Sequence, residues 1–424
     1  MIALATSPET GVSRTVLPNG LTVLSEFVPG VRSVAIGAWV RSGSMHERTE
    51  QMGIAHLLEH MVFKGTQKYS AKALALSLEV LGGSLDAYTT REHTSFQARV
   101  LDEHLTNASD VLFELCFRPL LRDDDLRLER KVILEEIAMV DDTPDDVIFE
   151  LHAHRMYPGH PYGHAILGTP TSVRQIHGDD LRAWHARVYH PPQIVLAAAG
   201  NVTHERLLDV LEQTGWATRE RGVSDLLPAP VAPETISRGY AHVKRKDIAQ
   251  THIVLACNAP QHASPERNAV AVASALLGGG MSSRLFQQVR EELGLAYNVY
   301  SFYNTFLDNG QHGVYVATAP EQAREAYTVV CAEMASVAGG AMTDDEIATG
   351  ISQLKGQLVL SLEGVSSRLY RAAEMALYDE PYRPLDELLA ELDAVTHAQV
   401  RAACAAYLDP AQCSVLSLGP AAAA

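Results

Sequence analysis

The chain lacks any apolar run of about 18 residues, which is the length that a membrane-spanning helix needs. Its opening stretch, MIALATSPETGVSRTVLPNG, also lacks a basic leader and has only a short apolar run, so we expect no signal peptide. Basic residues are outnumbered, with 34 lysines and arginines against 51 aspartates and glutamates, which gives a formal charge of −17. A chain of this charge repels phosphate groups, so we expect no nucleic acid as its partner. The lack of a spanning run likewise leads us to expect no membrane as its partner.

Cysteine is also scarce, and no two cysteines have the C-x-x-C spacing of many zinc and redox sites. The scattered, odd-numbered set excludes a four-cysteine zinc site and gives no sign of a disulfide framework. We therefore expect reduced, mostly buried thiols and a cytoplasmic location. The five residues are Cys116, Cys257, Cys331, Cys404 and Cys413.

The length and composition indicate a globular protein with at least two domains. A chain of 424 residues is too long for one ordinary hydrophobic core, and 47% of its residues are hydrophobic while 20% are charged. Three prolines lie within residues 228–233, where neither a helix nor a central strand could continue. We predict a catalytic domain at 1–216, a linker at 217–237 and a second domain at 238–424.

The hydrophobic periodicity predicts a mixture of strands and helices without regular alternation. Alternating apolar residues around Pro-Asn-Gly predict a hairpin at 15–28, and 33–44 and 94–101 have the pattern of strands. Helical spacing occurs at 53–63 and 123–140, and the second of these ends shortly before Pro144. The absence of a strict βαβ order favours an α+β fold.

The two halves of the chain are similar to each other. The segments beginning at His93 and His312 both have the pattern of a strand, a turn and an amphipathic helix, and they lie 219 residues apart. Downstream, the helical segments beginning at Asp123 and Asp344 lie 221 residues apart. A nearly constant offset over two segments indicates a duplication, with two domains that share one fold.

The stretch GIAHLLEHMVFKGT, residues 53–66, concentrates three chemically competent side chains in an apolar helix. His56 and His60 are four residues apart, so they lie on one face of the helix and can bind the same metal ion. Imidazole ligands suit zinc, and a catalytic zinc needs a third protein ligand and an open position. Glu59 lies beside the histidines and could reach a water on the metal. The alternative is a buried helix with incidental histidines, although burying all three groups would be costly.

The segment HLLEHMVFKGT resembles the active-site helix of the pitrilysin-type zinc metallopeptidases, family M16. The resemblance extends over nearly the whole chain and is greatest to the branch with the mitochondrial processing peptidase β-subunit and its bacterial two-domain relatives. It implies two homologous domains, each a mostly antiparallel β-sheet packed with α-helices, which form half of a clamshell chamber.

The resemblance also implies a third metal ligand, a glutamate 76 residues after the second histidine, and this position holds Glu136. Glu129, two helical turns earlier on the same face, matches a family glutamate that orients a ligand histidine. Glu135 is the competing candidate, but it is offset around the helix and lacks the family spacing.

The second half of the chain lacks these residues. Its counterpart of the active-site helix, 266–280, contains no histidine. Gln357 stands where the first half has Glu136, and Gly350 stands where it has Glu129. We therefore expect one zinc ion per chain, held by the first domain.

The segment SSRLFQQVREELGLAYNVYS, residues 282–301, resembles a different family motif, an arginine and a tyrosine seven residues apart. The resemblance implies that Arg290 and Tyr297 bind the substrate and stabilise negative charge on the attacked carbonyl oxygen, for which both side chains are suitable donors. The alternative is that Arg290 lies on a solvated helix face and Tyr297 in a core strand.

The segment GGSLDAYTTREHTSF, residues 82–96, resembles the family's strand beside the zinc, whose edge pairs with an extended peptide. The resemblance implies substrate contacts along Asp86, Ala87, Tyr88 and Thr89. Family members often have asparagine where this chain has Asp86, and an aspartate loses the donor of the amide.

Four histidines between 150 and 169 could, by residue type alone, hold a second metal ion. Their spacing matches no compact metal site, and HPYGHAILGT resembles a structural loop of the family. We therefore expect no second metal there. The residues are His152, His154, His160 and His164.

Together these features predict a zinc metalloendopeptidase that hydrolyses short or unfolded peptides. In the implied mechanism Glu59 takes a proton from the zinc-bound water and later gives it to the leaving amine. The resemblance implies a homodimer in which the partner's C-terminal domain completes each active site. The alternative is a non-catalytic structural or partner subunit of a heteromeric peptidase assembly.

Overall fold

The computed structural model describes residues 11–223 and 235–424. About half of the predicted linker at 217–237, namely residues 224–234, therefore lies outside the described residues. None of the described helices is long and apolar enough to cross a lipid bilayer.

The chain forms two compact units, and neither is a continuous half of the sequence. The first unit takes in the described parts of Met1–Ile137 and His164–Pro230, together with Leu360–Pro384. The second takes in Ala138–Gly163, the described part of Val231–Val359, and Leu385–Ala424. Each unit thus includes a segment from the other half of the chain. The division at 216 and 238 does not anticipate these two segments and otherwise stays a prediction.

The first unit is built on a six-stranded sheet of β1 (Val12–Val16), β2 (Thr22–Phe27), β3 (Ser33–Val40), β4 (Ser84–Thr89), β5 (Thr94–Leu101) and β6 (Ile194–Gly200). Every neighbouring pair is antiparallel except β2 and β6. The order is β1-β2-β6-β3-β5-β4, so β4 lies at an edge. The predicted hairpin is confirmed, since Gly20 turns between β1 and β2 with a φ of 91°.

The second unit repeats this topology with five strands, β7 (Gly239–Lys244), β8 (Thr251–Ala259), β9 (Ala296–Thr305), β10 (Gly310–Thr318) and β11 (Ser414–Gly419). Their order is β7-β11-β8-β10-β9, which matches β2-β6-β3-β5-β4, and its one parallel pair, β7 and β11, occupies the equivalent position. The repeat of strand order and pairing sense supports the duplication, and the α+β fold is confirmed.

Fourteen α-helices accompany the sheets in the described residues. In chain order they are α1 (Ile54–Val62), α2 (Ala71–Glu79), α3 (Leu105–Phe117), α4 (Asp123–Asp141), α5 (Pro144–Met156), α6 (Pro170–Gln175), α7 (Gly178–Val188), α8 (His204–Gln213), α9 (Arg267–Gly278), α10 (Ala323–Ala338), α11 (Asp344–Ser361), α12 (Val365–Leu377), α13 (Leu385–Asp393) and α14 (His397–Tyr407). A π-helical segment, Phe286–Glu292, precedes β9.

The segments exchanged between the two halves of the chain cover the second face of each sheet. In the first unit, α12 packs its apolar residues, among them Leu369, against Trp39 and its neighbours on β3 and β6. In the second unit, α5 packs Ile148 against Val254 and Tyr315. Each sheet is therefore buried on both faces, because a helix from the opposite half of the sequence covers the face that local helices leave open.

Two of the five cysteines form a disulfide, contrary to the prediction of reduced thiols. The structure joins Cys257, on β8, to Cys413, immediately before β11, in a disulfide, so these two residues are not the reduced thiols expected from the sequence. The two cysteines are 156 residues apart in sequence, so the sequence does not indicate that β8 and β11 are neighbouring strands. Cys116 and Cys404 are buried free thiols, and Cys331 is partly buried and free.

Candidate metal centre

The N-terminus of α1 is fixed by a glycine and a buried carboxylate. Gly53 precedes the helix with a φ of 89°, and a Cβ atom there would lie 2.5 Å from the carbonyl oxygen of Leu167, so a larger residue would clash. The backbone N–H groups of Gly53 and Ala55 donate to the Glu47 carboxylate at 2.8 and 2.9 Å. Burial raises the pKa of Glu47 to about 8, although these two N–H groups oppose the increase.

Three predicted ligand residues come together where α1 meets α4. The Nε2 atom of His56 lies 3.8 Å from one carboxylate oxygen of Glu136, and Nε2 of His60 lies 3.5 Å from the other. One candidate donor atom from each residue lies within 4.8 Å of the other two. Ligands about 2.1 Å from a tetrahedral zinc are about 3.4 Å apart, so the donor set and its spacing fit this ion.

The two histidines differ in their electrostatic surroundings. Burial, with a smaller contribution from His60, lowers the pKa of His56 to about 3, which keeps this imidazole neutral. Burial also lowers the pKa of His60, but the hydrogen bond to Glu129 and the charges of Glu136, Glu129 and Glu59 outweigh it, and the net shift is upward. The negative charges that favour protonated His60 would also favour a metal cation bound beside this imidazole.

Glu129 holds His60 in one orientation. Nδ1 of His60 donates to a Glu129 oxygen at 2.9 Å, which directs Nε2 toward Glu136. The other Glu129 oxygen accepts from Lys64 at 2.5 Å. Burial would raise the pKa of Glu129, but the hydrogen bonds from His60 and Lys64 lower it overall. The sequence-based prediction did not include Lys64 among the residues of the site, although this residue lies only four positions after His60.

Glu59 is hydrogen-bonded to the edge strand of the sheet. The Thr89 hydroxyl, at the end of β4, donates to a Glu59 oxygen at 2.5 Å. Burial raises the pKa of Glu59, while this hydrogen bond and the charge of His60 oppose the increase. A carboxylate with a raised pKa is a better proton acceptor than an exposed one. The sequence indicated Thr89 only as a substrate contact and did not reveal its bond to Glu59.

The other metal candidates do not belong to this group. Glu135 is exposed on α4 and does not belong to the group. In the 150–169 segment, His152 is buried and its Nε2 donates to the Ser414 carbonyl at 3.0 Å, while the Tyr162 N–H donates to Nδ1 of His160 at 3.1 Å. Within 11–223 and 235–424, His56, His60 and Glu136 form the one group of three or more potential ligands.

The predicted substrate strand is β4, with Asp86, Ala87, Tyr88 and Thr89 on it. β5 pairs with one edge of β4, and the sheet order places no described strand on the other. Because β4 also carries the threonine that bonds to Glu59, the free edge and the metal residues belong to the same small region of the first unit.

The predicted arginine and tyrosine lie together in the second unit. Arg290 belongs to the π-helical segment and Tyr297 to β9, and the guanidinium carbon lies 4.3 Å from the centroid of the tyrosine ring. Tyr297 is 77% exposed, which excludes the alternative of a tyrosine buried in a core strand. The pair thus presents two hydrogen-bond donors at the surface of this unit.

The repeated α+β fold and the HLLEH helix are features of a peptidase class, and sequence comparison agrees. Residues 22–170 match the family described as "Insulinase (Peptidase family M16)", and residues 175–354 match "Peptidase M16 inactive domain". The chain belongs to peptidase family M16.

Among its relatives are proteins named as uncharacterized zinc proteases. The one from Mycobacterium leprae is 37% identical over 92% of this chain and 88% of its own length. The one from Streptomyces coelicolor is 38% identical over 92% of this chain and 86% of its own length. The one from Bacillus subtilis is 35% identical over 92% of this chain and 94% of its own length.

Solved structures share the fold. A structure titled as a peptidase M16 inactive domain from Pseudomonas fluorescens has a TM-score of 0.89 and 22% identity, and it covers 97% of this chain and 98% of its own. The structure of a protease from Helicobacter pylori has a TM-score of 0.92 and 20% identity. The match covers 96% of this chain and 99% of the Helicobacter pylori chain.

Proposed function

We propose that this protein is a zinc-dependent endopeptidase that hydrolyses short or unfolded peptides. The observation that carries the proposal is the convergence of His56, His60 and Glu136, whose candidate donor atoms lie within 4.8 Å of one another, beside Glu59. A structural scaffold has no need for a buried His56 beside a partly buried His60 and these carboxylates, because removing such groups from water is costly. The names of the relatives support zinc as the metal.

In the proposed mechanism the protein's residues hold the metal, position the peptide and move protons. Zinc, when bound, supplies a Lewis acid that polarises the peptide carbonyl and makes water easier to deprotonate. His56, His60 and Glu136 would hold it, and Glu129 would keep the ring of His60 in place. Glu59 accepts the proton of the attacking water and then donates it to the leaving amine.

The edge of β4 is the proposed position of the substrate backbone. An extended peptide could add to this edge as a further strand through main-chain hydrogen bonds, which read the backbone more than the sequence. Binding of this kind needs a segment that is not already folded, which is the reason for proposing short or unfolded peptides. Arg290 and Tyr297 are proposed to donate to the carbonyl oxygen as it becomes negative.

The proposal is tested by cleavage of a mixed library of unstructured peptides with the purified protein. We expect cleavage products by mass spectrometry, complete loss after treatment with a chelator, and recovery when zinc is added back. Cleavage that persists in fully zinc-depleted protein would contradict a metal-dependent mechanism. Bound zinc without cleavage of any peptide would favour the alternative of a partner subunit, and absence of both would favour a structural subunit.

We further propose that the active form is a homodimer in which Arg290 and Tyr297 of one copy complete the metal site of the other. The reason is the family resemblance, together with the presence of both motifs in one chain. A symmetric dimer of such chains would contain two equivalent composite sites. Size-exclusion chromatography of the single purified chain should therefore give a dimer.

Mixing two inactive variants tests completion between copies. Glu59→Gln is expected to be nearly inactive because it lacks the proposed base. Arg290→Ala is expected to be nearly inactive because loss of one donor to the oxyanion costs about 10²–10³ in kcat. An equal mixture that exchanges subunits should recover about a quarter of the wild-type rate, because half of the dimers then hold one intact site of two. No recovery after demonstrated subunit exchange would mean that each chain completes its own site.

A further inference from the structure

The strand β4 directs alternate side chains to opposite faces of the first sheet. Leu85 and Ala87 pack against the core that includes α1, and Thr89 bonds to Glu59, so these residues face the metal centre. Side chains in a strand alternate with a period of two. The intervening side chains of β4 therefore face the other side of the sheet, where α12 packs.

A cavity of about 160 Å³ lies on this second face, beside the edge strand. The strands β4 and β5 supply most of its polar residues, and α12 supplies a serine, a leucine and a tyrosine. Its main lining residues are Ser84, Asp86, Gln97, Arg99, Leu369 and Tyr370. All of them belong to the first unit.

The cavity carries two opposite charges that are not paired with each other. Asp86 and Arg99 are both exposed, and neither side chain forms a hydrogen bond or ion pair with any residue in the described part of the chain. In the register of the two strands, Asp86 lies opposite Gln97, and Arg99 lies opposite the small residue Ser84. Asp86 is thus on the edge strand itself, while Arg99 lies one strand further in, with only a serine between it and the free edge.

We propose that this cavity is a charge-selective subsite for the peptide that pairs with the edge of β4. It takes a basic side chain beside Asp86 and an acidic side chain two residues away, across Ser84 toward Arg99. The proposal rests on the proposed function, because the peptide is the substrate of the metal site on the opposite face.

Strand geometry explains how one peptide reaches both faces. Residues directly opposite on paired strands have Cβ atoms about 4.5–5.5 Å apart, within reach of an ion pair. A peptide residue opposite Asp86 that points to the α12 side would place its side chain beside this carboxylate. The next residue on the same side is two positions along, opposite Ser84. The residue between them points toward the α1 side, where Glu59 and the metal ligands lie.

Asp86 places a carboxylate on the edge strand, where an asparagine would place a neutral amide of similar size. The amide could donate to a carbonyl oxygen of the peptide, whereas a carboxylate only accepts and attracts a cation. A carboxylate at this position is therefore suited to reading the charge of a peptide side chain rather than to donating to the peptide backbone.

The subsite is tested by binding, which does not depend on turnover. The full chain with Glu59→Gln, loaded with zinc, is titrated against short labelled peptides of serine, threonine, alanine and glycine. Each peptide carries one lysine or one glutamate, moved through every position, and fluorescence anisotropy gives Kd. At one position lysine should bind about tenfold more tightly than glutamate, the sum of an attractive and a repulsive cross-strand pair.

Further variants on the same background assign the preference to one side chain. Asp86→Asn should make the lysine and glutamate peptides bind alike at that position, and Asp86→Lys should invert the preference. Asp124→Asn removes the same charge from an exposed position on α4, whose side chain is 87% exposed, and should keep the preference. Arg99→Gln should reduce only the additional affinity that a glutamate gives two positions away.

Three results would overturn the subsite: equal binding of all peptides, a lysine preference that survives Asp86→Asn, or no binding of any peptide. Cleavage of the same peptides by the wild-type chain tests the proposed function separately. Chelator-sensitive cleavage without a charge preference would remove the subsite and leave the endopeptidase. Charge-selective binding without cleavage would remove the endopeptidase and leave a peptide-binding edge.

Discussion

Glu59→Gln is expected to lower kcat by about a thousandfold or more while the zinc content stays at the wild-type level. Glutamine has nearly the same shape and can still accept the hydrogen bond that Thr89 donates to Glu59. It cannot accept a proton from water, however, so the variant loses the base while it keeps the fold and the metal ligands. Peptide cleavage rates and elemental analysis on the same samples measure both quantities.

Glu135→Gln is the matched control for this variant. It makes the same chemical change at an exposed position of α4 that lies outside the ligand group, so it should cleave peptides like the wild type. Substantial activity in Glu59→Gln would exclude Glu59 as the base. Loss of zinc together with activity would mean that Glu59 helps to hold the metal, which would require a different ligand set.

His60→Ala is expected to weaken zinc binding by more than about a hundredfold and to abolish peptide cleavage. Removal of a residue that only orients a ligand typically costs 10–100-fold in affinity, and His60 is proposed as a ligand itself. Competition with a chromophoric chelator gives the affinity. Glu129→Gln should give an intermediate loss, because it weakens the hydrogen bond that orients His60 and leaves all three ligand residues in place.

Controls separate loss of metal from loss of fold. His154→Ala removes an exposed histidine from the second unit and should bind zinc normally. Glu136→Gln removes the third proposed ligand with little change of shape, so it should also lose zinc while circular dichroism shows a folded protein. Full zinc content in a folded His60→Ala variant would refute the assignment of this residue as a ligand.

Local periodicity predicted the part of the centre that lies within one helix. The i, i+4 spacing places His56 and His60 on one face of α1 whatever the rest of the protein does. The resemblance then supplied Glu136 and Glu129. The structure brings both glutamates to the histidines and leaves Glu135 exposed. Ligation itself stays a proposal.

Other features depended on contacts between residues far apart in the sequence. The bond from Thr89 to Glu59 joins a strand end to a helix 30 residues earlier, and the bond between Cys257 and Cys413 joins two neighbouring strands. Nothing in either local pattern indicates these pairings. The sequence pattern of a strand does not indicate which other strand it pairs with. The prediction of reduced thiols was therefore wrong for these two cysteines.

The sequence by itself determined the α+β class, the duplication, the first hairpin and the histidine pair, because each depends on short periodic patterns or on residues within one element. Only the tertiary structure decided that α12 joins the first unit and α5 the second, since an apolar helix face does not specify which sheet it covers. It also decided that Asp86 and Arg99 share a cavity beside the free edge of β4, because strand register brings together residues that the chain keeps apart.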